Sequence, residues 1–191
     1  MDNTDKLGFK MILEELIFVT GNTQKLIEAK KILGMPSLEN KKLDLPELQG
    51  TAEEIVKEKA KMAFKQLQKP CFVDDTSLYF DAWGGLPGPY VKAFVENVGV
   101  DNFPNLLEGK DNSATAVCTI GYAKSKTEVY TFRGEIKGKI VSPGGRDIFS
   151  WDRVFMPNGY DVRFAEMAPE EKNAISHRKI AFEKFRDYLN K

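Results

Sequence analysis

The chain offers little histidine and cysteine chemistry. Its 191 residues include one histidine, His177, and two cysteines, Cys71 and Cys118. A single imidazole excludes a zinc site built from a histidine cluster, and the absence of a nucleophile-elbow motif argues against a Ser-His-Asp triad. Both cysteines lie in apolar runs typical of strands, so we expect buried, reduced thiols and neither a disulfide nor a metal site.

The sequence also lacks a long apolar run and an excess of charge of either sign. Its 28 lysine and arginine residues balance 28 aspartate and glutamate residues, so no overall field attracts a nucleic-acid polymer or a membrane surface. The polar N-terminus has no signal-peptide core, and no segment could span a bilayer. No P-loop or G-x-G-x-x-G motif supports an ATPase or a dehydrogenase. We therefore expect a cytoplasmic protein with small-molecule partners.

The stretch Leu16–Gly34, LIFVTGNTQKLIEAKKILG, predicts a strand, a turn and a helix in direct succession. A helix that begins at the carboxyl end of a strand directs backbone N–H groups and the positive end of its dipole at the turn, which suits an anion. Lys25 adds a mobile ammonium group. We interpret the stretch as a cradle for phosphates, and an ordinary strand-to-helix turn is the alternative.

The next segment predicts a strand over 41–45, followed by Glu47, and a helix that begins after Thr51. Thr51 and Glu54 have the spacing of a capping box. Lys59 interrupts the apolar stripe of this helix, so its stem must run along apolar surface to reach an anion or water. A phosphate contact is the functional interpretation, and an edge lysine that extends to solvent is the alternative.

A third strand is predicted over 71–73, and it ends in Asp74-Asp75-Thr76. Three strands with two intervening helices predict a parallel core whose ligands bind beyond the carboxyl ends of the strands. Adjacent side chains of a strand point to opposite sides, so only one of the two aspartates is expected to face the site. A carboxylate near phosphate-binding lysines suits Mg²⁺, with Glu47 as a second ligand, whereas solvated acids at a turn are the alternative.

The second half of the chain predicts a rigid loop, an antiparallel pair of strands and a polar corner. The loop AWGGLPGPYVKAF would hold Lys92 over a cleft, and a merely structural turn is the alternative. Alternating residues over 115–122 and 129–141 predict antiparallel strands of a second lobe. The segment 149–152, FSWD, could stack on a nucleobase and accept from its ring N–H groups, or could be a core corner with a capping aspartate.

The last helix is predicted to begin after Ser176, with His177 and Arg178 in its first turn and Lys172 nearby. Cations are unfavourable at the positive end of a helix dipole. Their presence there indicates a bound anion or an electron-rich ring that offsets the cost.

Together these motifs closely resemble the inosine triphosphate pyrophosphatase family. They are TGNTQK with Glu28, DLPELQG, VDDTSL, GGLPGPYVK, FSWDRVF, AEM, EKN and SHR, and they cover nearly the whole chain beyond Leu16. The resemblance implies Mg²⁺-dependent hydrolysis of non-standard purine nucleoside triphosphates, ITP, dITP and XTP, to the monophosphate and pyrophosphate, with Mn²⁺ as a substitute ion. It implies an α/β fold, a long curved mixed sheet flanked by helices, with two lobes around a cleft. It also implies one catalytic domain over 16–191 after an extension over 1–15, and a homodimer.

The resemblance also assigns roles to individual residues. The implied phosphate contacts are Thr20, Gly21, Asn22, Thr23, Gln24, Lys25, Lys59 and Thr76, with Lys92 also in the site. The implied metal-binding and water-activating acids are Glu47 and Asp75. The implied base-recognition residues are Phe149, Ser150, Trp151, Asp152, Lys172, His177 and Arg178. Two residues depart from the family pattern, Ser150 in place of glycine and Arg153 in place of proline, and both bear on the shape of the base pocket.

We expect Lys25 and Lys59 to clamp the phosphates. Asp75, alone or through a magnesium-bound water that Glu47 and Asp75 hold, would activate the water that attacks the α-phosphate. Two alternatives remain at this stage. One is a related pyrophosphatase acting on pyrimidine or modified nucleotides, and the other is a nucleotide-binding sensor without turnover.

Overall fold

The computed structural model describes residues 15–146 and 150–191. In these ranges the strands are β1 (Ile17–Val19), β2 (Glu39–Lys41), β3 (Cys71–Phe80), β4 (Pro87–Gly88), β5 (Ser113–Ala123), β6 (Val129–Ile140) and β7 (Phe155–Pro157). The helices are α1 (Thr23–Leu33), α2 (Ala52–Leu67), α3 (Val91–Val98), α4 (Phe103–Leu106), α5 (Pro169–Ile175) and α6 (His177–Leu189). None of the helices in the described ranges combines the length and apolarity that a bilayer crossing requires.

The strands described form one seven-stranded mixed sheet in the order β2-β1-β3-β5-β6-β7, with β4 paired to β3. The strand β1 is parallel to both β2 and β3, and α1 and α2 form the connections. The predicted parallel core is therefore confirmed. Antiparallel pairing of β4 with β3 and of β7 with β6 makes the sheet mixed.

The predicted strand, turn and helix of the first stretch are confirmed. The helix α1 begins after Asn22, whose side chain accepts a hydrogen bond from the backbone N–H of Lys25 at 3.1 Å. It ends at Gly34, which has the left-handed φ of 68° that a side chain would disfavour. The capping box of Thr51 and Glu54 at the start of α2 is also confirmed.

The limits of two strands were predicted wrongly. The second strand is Glu39–Lys41 and not 41–45, because the three residues of β1 pair with these three residues and leave the following ones without a strand partner on β1. The third strand does not end at Val73 but continues to Phe80, so Asp74, Asp75 and Thr76 lie inside it. Consecutive polar residues are typical of a turn, but here all three lie in the extended backbone of the strand, and each residue as a whole is partly buried.

The chain divides into two compact units, each with a core of its own. The first comprises the described residues up to Asp75 together with Thr119–Arg133 and Ala181–Lys191, and the second comprises Thr76–Cys118 and Gly134–Ile180. The division falls within β3, β5 and β6. The hairpin end of β5 and β6 therefore belongs to the first unit, whereas the sequence had placed both strands in a second lobe.

Aromatic side chains fill both cores. In the first unit, the rings of Phe18 and Phe72 stack at 4.4 Å between centroids, and Phe182 packs edge-on against both. In the second unit, Phe80 packs edge-on against Phe103 at 5.6 Å. These buried rings fix the strands that carry the polar residues described next.

Candidate active site

The turn between β1 and α1 is held by hydrogen bonds to β2. The backbone N–H of Thr20 donates to the carbonyl oxygen of Lys41 at 3.0 Å, and the side-chain amide of Asn40 donates to the carbonyl oxygen of Thr20 at 3.2 Å. The hydroxyl oxygen of Thr20 accepts from the backbone N–H of Asn22 at 3.1 Å. The turn is thus shaped before any ligand binds. In the first turn of α1, the N–H of Lys25 donates to Asn22, whereas those of Thr23 and Gln24 have no acceptor within the helix, as at the start of any helix.

Lys25 forms an ion pair with Asp74. Its Nζ lies 3.0 Å from Asp74 Oδ1 and 3.3 Å from the carbonyl oxygen of the same residue. The Asp74 side chain is only 1% exposed, whereas that of Lys25 is 19% exposed. Strand alternation predicted that one of the two aspartates would turn away from the other, but it did not identify Asp74 as the partner of Lys25.

Lys59 lies between two further carboxylates. Its Nζ is 3.1 Å from Glu47 Oε2 and 3.4 Å from Asp75 Oδ2. The Lys59 side chain is largely buried, Asp75 is 27% exposed and Glu47 is 68% exposed. The predicted inward direction of Lys59 is confirmed, and its stem carries the ammonium group to acidic partners.

Lys25, Lys59, Glu47, Asp74 and Asp75 form what we call the lysine–carboxylate cluster. Its two lysines and three carboxylates give a formal charge of +2 − 3 = −1. Among the described residues, no group of three or more histidine, cysteine, aspartate or glutamate side chains could hold a metal ion. The cluster instead fits a cation such as Mg²⁺, which takes one or two protein carboxylates and completes its octahedron with water and phosphate oxygens. The ammonium group of Lys59 already occupies a cation position between Glu47 and Asp75.

A second polar group lies in the second unit, where Lys172 Nζ donates to Asp152 Oδ2. Both side chains are almost fully buried. The ammonium group also lies 5.6 Å from the centre of the Phe164 ring, within the range of a cation–π contact. A buried charge of this kind needs its partner, because desolvation would otherwise cost several kcal/mol.

His177 begins α6 as predicted, and the hydroxyl of Ser176 accepts from the backbone N–H of Lys179 at 3.1 Å, which confirms the cap. The imidazole is buried, 5.4 Å from the Trp151 ring and 5.9 Å from the Phe164 ring between centroids. Trp151, Asp152, Phe164, Lys172 and His177 thus form one contiguous set, which we call the Asp152 cluster. Phe164 was missed from the sequence because an isolated phenylalanine carries no motif.

The guanidinium group of Arg178 is buried and donates from Nη2 to the hydroxyl oxygen of Thr76 at 3.2 Å. Thr76 follows Asp75 in β3. The two residues were assigned to different parts of the substrate, and the structure joins them directly.

Three residues that the resemblance assigned to the site, Lys92, Phe149 and Ser150, belong to neither of the two named clusters. Lys92 is the second residue of α3 and is exposed, and its place in the site stays a prediction. Phe149 lies outside the described residues. Ser150 begins the 3-10 turn Ser150–Arg153. Arg153, which stands where the family pattern has proline, forms an ion pair with Asp101 at 3.3 Å through its guanidinium group. A proline could not make this contact.

A sequence profile of the Ham1 family matches residues 16–188, and the chain belongs to this family. The chain is similar to the inosine triphosphate pyrophosphatase of Puccinia graminis f. sp. tritici, with 41% identity over 187 residues, 93% of this chain and 97% of the relative. It is also similar to the inosine triphosphate pyrophosphatase of Yarrowia lipolytica, with 48% identity over 178 residues, 91% of this chain and 95% of the relative. The resemblance drawn from the motifs is confirmed.

Solved structures share the fold. A HAM1 protein from Coxiella burnetii superposes with a TM-score of 0.81 at 27% identity, over 92% of this chain and 98% of that chain. The nucleoside-triphosphatase / dITP/XTP pyrophosphatase from Mycobacterium abscessus gives a TM-score of 0.69 at 27% identity, over 89% of this chain and 97% of that chain. The expected α/β fold, a mixed sheet flanked by helices, is confirmed.

Proposed function

We propose that this protein hydrolyses the non-standard purine nucleoside triphosphates ITP, dITP and XTP to the monophosphate and pyrophosphate, with Mg²⁺ or, as a substitute, Mn²⁺. The observation that carries the proposal is the lysine–carboxylate cluster, in which two lysines, one of them in the first turn of α1, lie beside a partly exposed aspartate. The start of a helix suits an anion such as phosphate. The names of the relatives support the substrate class.

The charge of the cluster supports a requirement for a divalent cation. A triphosphate carries about four negative charges at neutral pH, and the cluster itself has a formal charge of −1. The two lysines are already counted in that −1, so the cluster leaves the charge of the triphosphate uncompensated. A bound Mg²⁺ would offset part of this negative charge and would lower the pKa of a water molecule in its coordination sphere. Glu47 and Asp75 are the residues that would hold it.

Asp75 is the proposed proton acceptor. Its side chain is 27% exposed, whereas that of Asp74 is 1% exposed and bonded to Lys25, so of these two adjacent aspartates Asp75 is the one open to a water molecule. As the water oxygen bonds to the α-phosphorus, its proton passes to Asp75 and the bond from that phosphorus to the bridging oxygen breaks. Pyrophosphate leaves, with Lys25 and Lys59 stabilising its charge.

The proposed base recognition uses buried donors. Lys172 and Arg178 carry only donors, so they pair with the 6-keto oxygen of hypoxanthine or xanthine but oppose the amino group of adenine. The carboxylate of Asp152 accepts from a ring N–H, and the rings of Trp151 and His177 offer stacking surfaces. A mismatch at such buried groups costs several powers of ten, because it leaves a desolvated polar group unpaired.

Replacement of Asp75 tests the catalytic assignment. We expect Asp75→Asn to abolish turnover of ITP, because the proton acceptor and a metal ligand are both lost, while nucleotide binding remains measurable by calorimetry. Asp44→Asn, at an exposed acid of the loop before α2, is the matched control and should retain activity. Equal turnover by Asp75→Asn and the wild type would refute the assignment, and nucleotide binding with no turnover by the wild type would favour a sensor.

Product and substrate identity test the reaction class. With ITP and Mg²⁺ we expect pyrophosphate and the monophosphate, which phosphorus NMR distinguishes from orthophosphate and the diphosphate. A panel of ITP, XTP, dUTP and methylated dTTP separates the purine enzyme from the pyrimidine alternative. Faster turnover of either pyrimidine nucleotide would overturn the purine assignment.

We further propose a cytoplasmic homodimer, with a small-molecule nucleotide as the substrate. The motif resemblance to the family supports this assembly, and the absence of net charge supports a small substrate. Sedimentation equilibrium of the purified full chain measures the mass directly. A mass of one chain at micromolar concentration would contradict the dimer.

A further inference from the structure

Lys59 lies between the two carboxylates that are proposed to hold a metal ion. Its ammonium group is 3.1 Å from Glu47 Oε2 and 3.4 Å from Asp75 Oδ2, so one cation joins both carboxylates. The stem is held in place because Lys59 follows Ile55 and Val56 on α2 and precedes Ala60, all three of which are buried in the core. The packing of α2 therefore fixes the backbone from which the Lys59 side chain extends.

An ammonium group and a divalent cation cannot share this position. Each is attracted by the same two carboxylates, and an ammonium group and a divalent cation a few ångströms apart repel each other, more strongly in a partly buried site than in water. Lys25 does not compete in this way. Its partner Asp74 is 1% exposed, so a hydrated ion cannot reach that carboxylate.

We propose that Lys59 is a built-in competitor of the divalent cation, which couples metal binding to phosphate binding. This inference rests on the proposed function. In the nucleotide-free protein, the ammonium group neutralises Glu47 and Asp75 and keeps the cation out. Phosphate oxygens offer Lys59 an alternative anion, and its transfer to them frees both carboxylates for the cation. Each ligand thus strengthens the binding of the other, as linkage requires.

The inference predicts changes of opposite sign when the charge is removed. Lys59→Met keeps most of the stem and removes the ammonium group, so Glu47 and Asp75 lose their internal cation. Metal binding to the nucleotide-free protein should become stronger, whereas pyrophosphate binding without metal should become weaker. If Lys59 only bound phosphate, Lys59→Met would weaken pyrophosphate binding and leave metal binding unchanged.

The test measures Mn²⁺ alone, by electron paramagnetic resonance of the free ion, with the nucleotide-free full chain. We expect Lys59→Met to bind Mn²⁺ at least about fivefold more tightly than the wild type, the lower end of typical coupling factors. Lys61→Met removes an equal charge from the exposed side of the same helix, where Lys61 pairs with Glu58, and should match the wild type. Equal or weaker Mn²⁺ binding by Lys59→Met would overturn the inference.

Two further measurements locate the effect. Adding Glu47→Gln to Lys59→Met should remove the gain in Mn²⁺ affinity, and a gain that persists would place the ion elsewhere and overturn the inference. Pyrophosphate titrated in the presence of a chelator should bind several-fold more weakly to Lys59→Met than to Lys61→Met. Equal binding by the two variants would contradict the proposed transfer of Lys59 to the phosphate oxygens. None of these measurements uses turnover. A failure of the proposed hydrolysis can therefore be distinguished from a failure of this inference.

Discussion

Two consecutive aspartates in β3 have opposite environments. Asp74 is buried against Lys25, whereas Asp75 reaches the solvent side of Lys59. Alternation along a strand explains why they face different ways. The sequence could predict this opposition. It could not predict which lysine each aspartate meets, because the two lysines come from different helices.

The Lys25 ion pair gives a prediction for triphosphate binding. In an Asp75→Asn background that prevents turnover, Lys25→Met should lower the affinity for ITP by about tenfold or more, the usual value of a charge-assisted hydrogen bond, and leave inosine binding unchanged. Calorimetric titration with both ligands measures this. An equal loss for ITP and inosine would contradict a phosphate role.

The same change has a structural effect that must be separated. Lys25→Met removes the ion pair of a buried carboxylate, so the melting temperature should fall. Adding Asp74→Asn should restore most of the stability, because it removes the buried charge, but should not restore ITP binding. Recovery of ITP affinity in that double variant would show that the loss was only structural.

At the scale of elements, α2 packs against β5 with no room for a side chain at Gly121. A Cβ added there would lie 2.6 Å from the carbonyl carbon of Val56 and closer still to its oxygen, and both are backbone atoms that cannot move aside alone. Gly21 is different. A Cβ there would meet only the flexible stem of Lys42, at 3.1 Å from its Cδ.

Alanine substitution tests this packing. Gly121→Ala should lower the free energy of unfolding by roughly 1–3 kcal/mol or more, the usual cost of overpacking, whereas Gly21→Ala should cost much less. Urea denaturation followed by circular dichroism gives both values. Equal costs at the two glycines would contradict the close approach of α2 and β5.

The capping box at the start of α2 makes stability depend on pH. The backbone N–H and the hydroxyl of Thr51 donate to Glu54 and hold the pKa of its carboxyl below the ordinary 4.5. A lowered pKa in the folded state stabilises the protein above pH 4.5, and this contribution is lost as the pH falls through the folded value.

Thr51→Ala should therefore lower the free energy of unfolding by about 1 kcal/mol at pH 7 and by less below pH 4. Thr51→Ser keeps the hydroxyl and is the matched control, with a smaller loss at both pH values. Urea denaturation at the two pH values measures the difference. Alanine keeps the backbone N–H bond to Glu54, so a cost of Thr51→Ala that does not change with pH would show that the hydroxyl has no part in lowering the pKa of Glu54.

Local signals identified the helices better than the strands. The caps of α1 and α2 are set by neighbouring residues, and so the sequence located them. The limits of β2 and β3 depend on partner strands that lie far away in the chain, and both were misplaced. The spacing of Lys59 predicted its direction, but its acidic partners come from a loop and from β3. Phe164 likewise joins the Asp152 cluster only through tertiary packing.

At the scale of the whole molecule, each compact unit contains one buried cysteine, Cys71 in the first and Cys118 in the second. Burial raises the pKa of the Cys71 thiol from 9.0 to about 12. A raised pKa stabilises the folded state below pH 9 and is lost as the pH rises towards 12, because the unfolded thiol ionises first. Both thiols are buried in the folded protein, so the exposure of each reports on unfolding.

Alkylation should reveal whether the two units unfold together. Three strands run through both, so we expect Cys71 and Cys118 to become reactive towards iodoacetamide at the same urea concentration, and neither to react in the folded protein at pH 8. Mass spectrometry of the labelled peptides measures each thiol separately. Labelling of one thiol well before the other would demonstrate independent unfolding of the units.

The turn that precedes α1 depends on β2, which is an edge strand of the sheet among the described residues. Two hydrogen bonds from Thr20 and Asn40 connect that turn to β2, whose three residues are all exposed. Short edge elements with few buried contacts are the first to open on warming. Thermal inactivation should consequently begin below the melting temperature. On heating, the affinity for ITP should decline while most of the circular dichroism signal of the sheet is still intact.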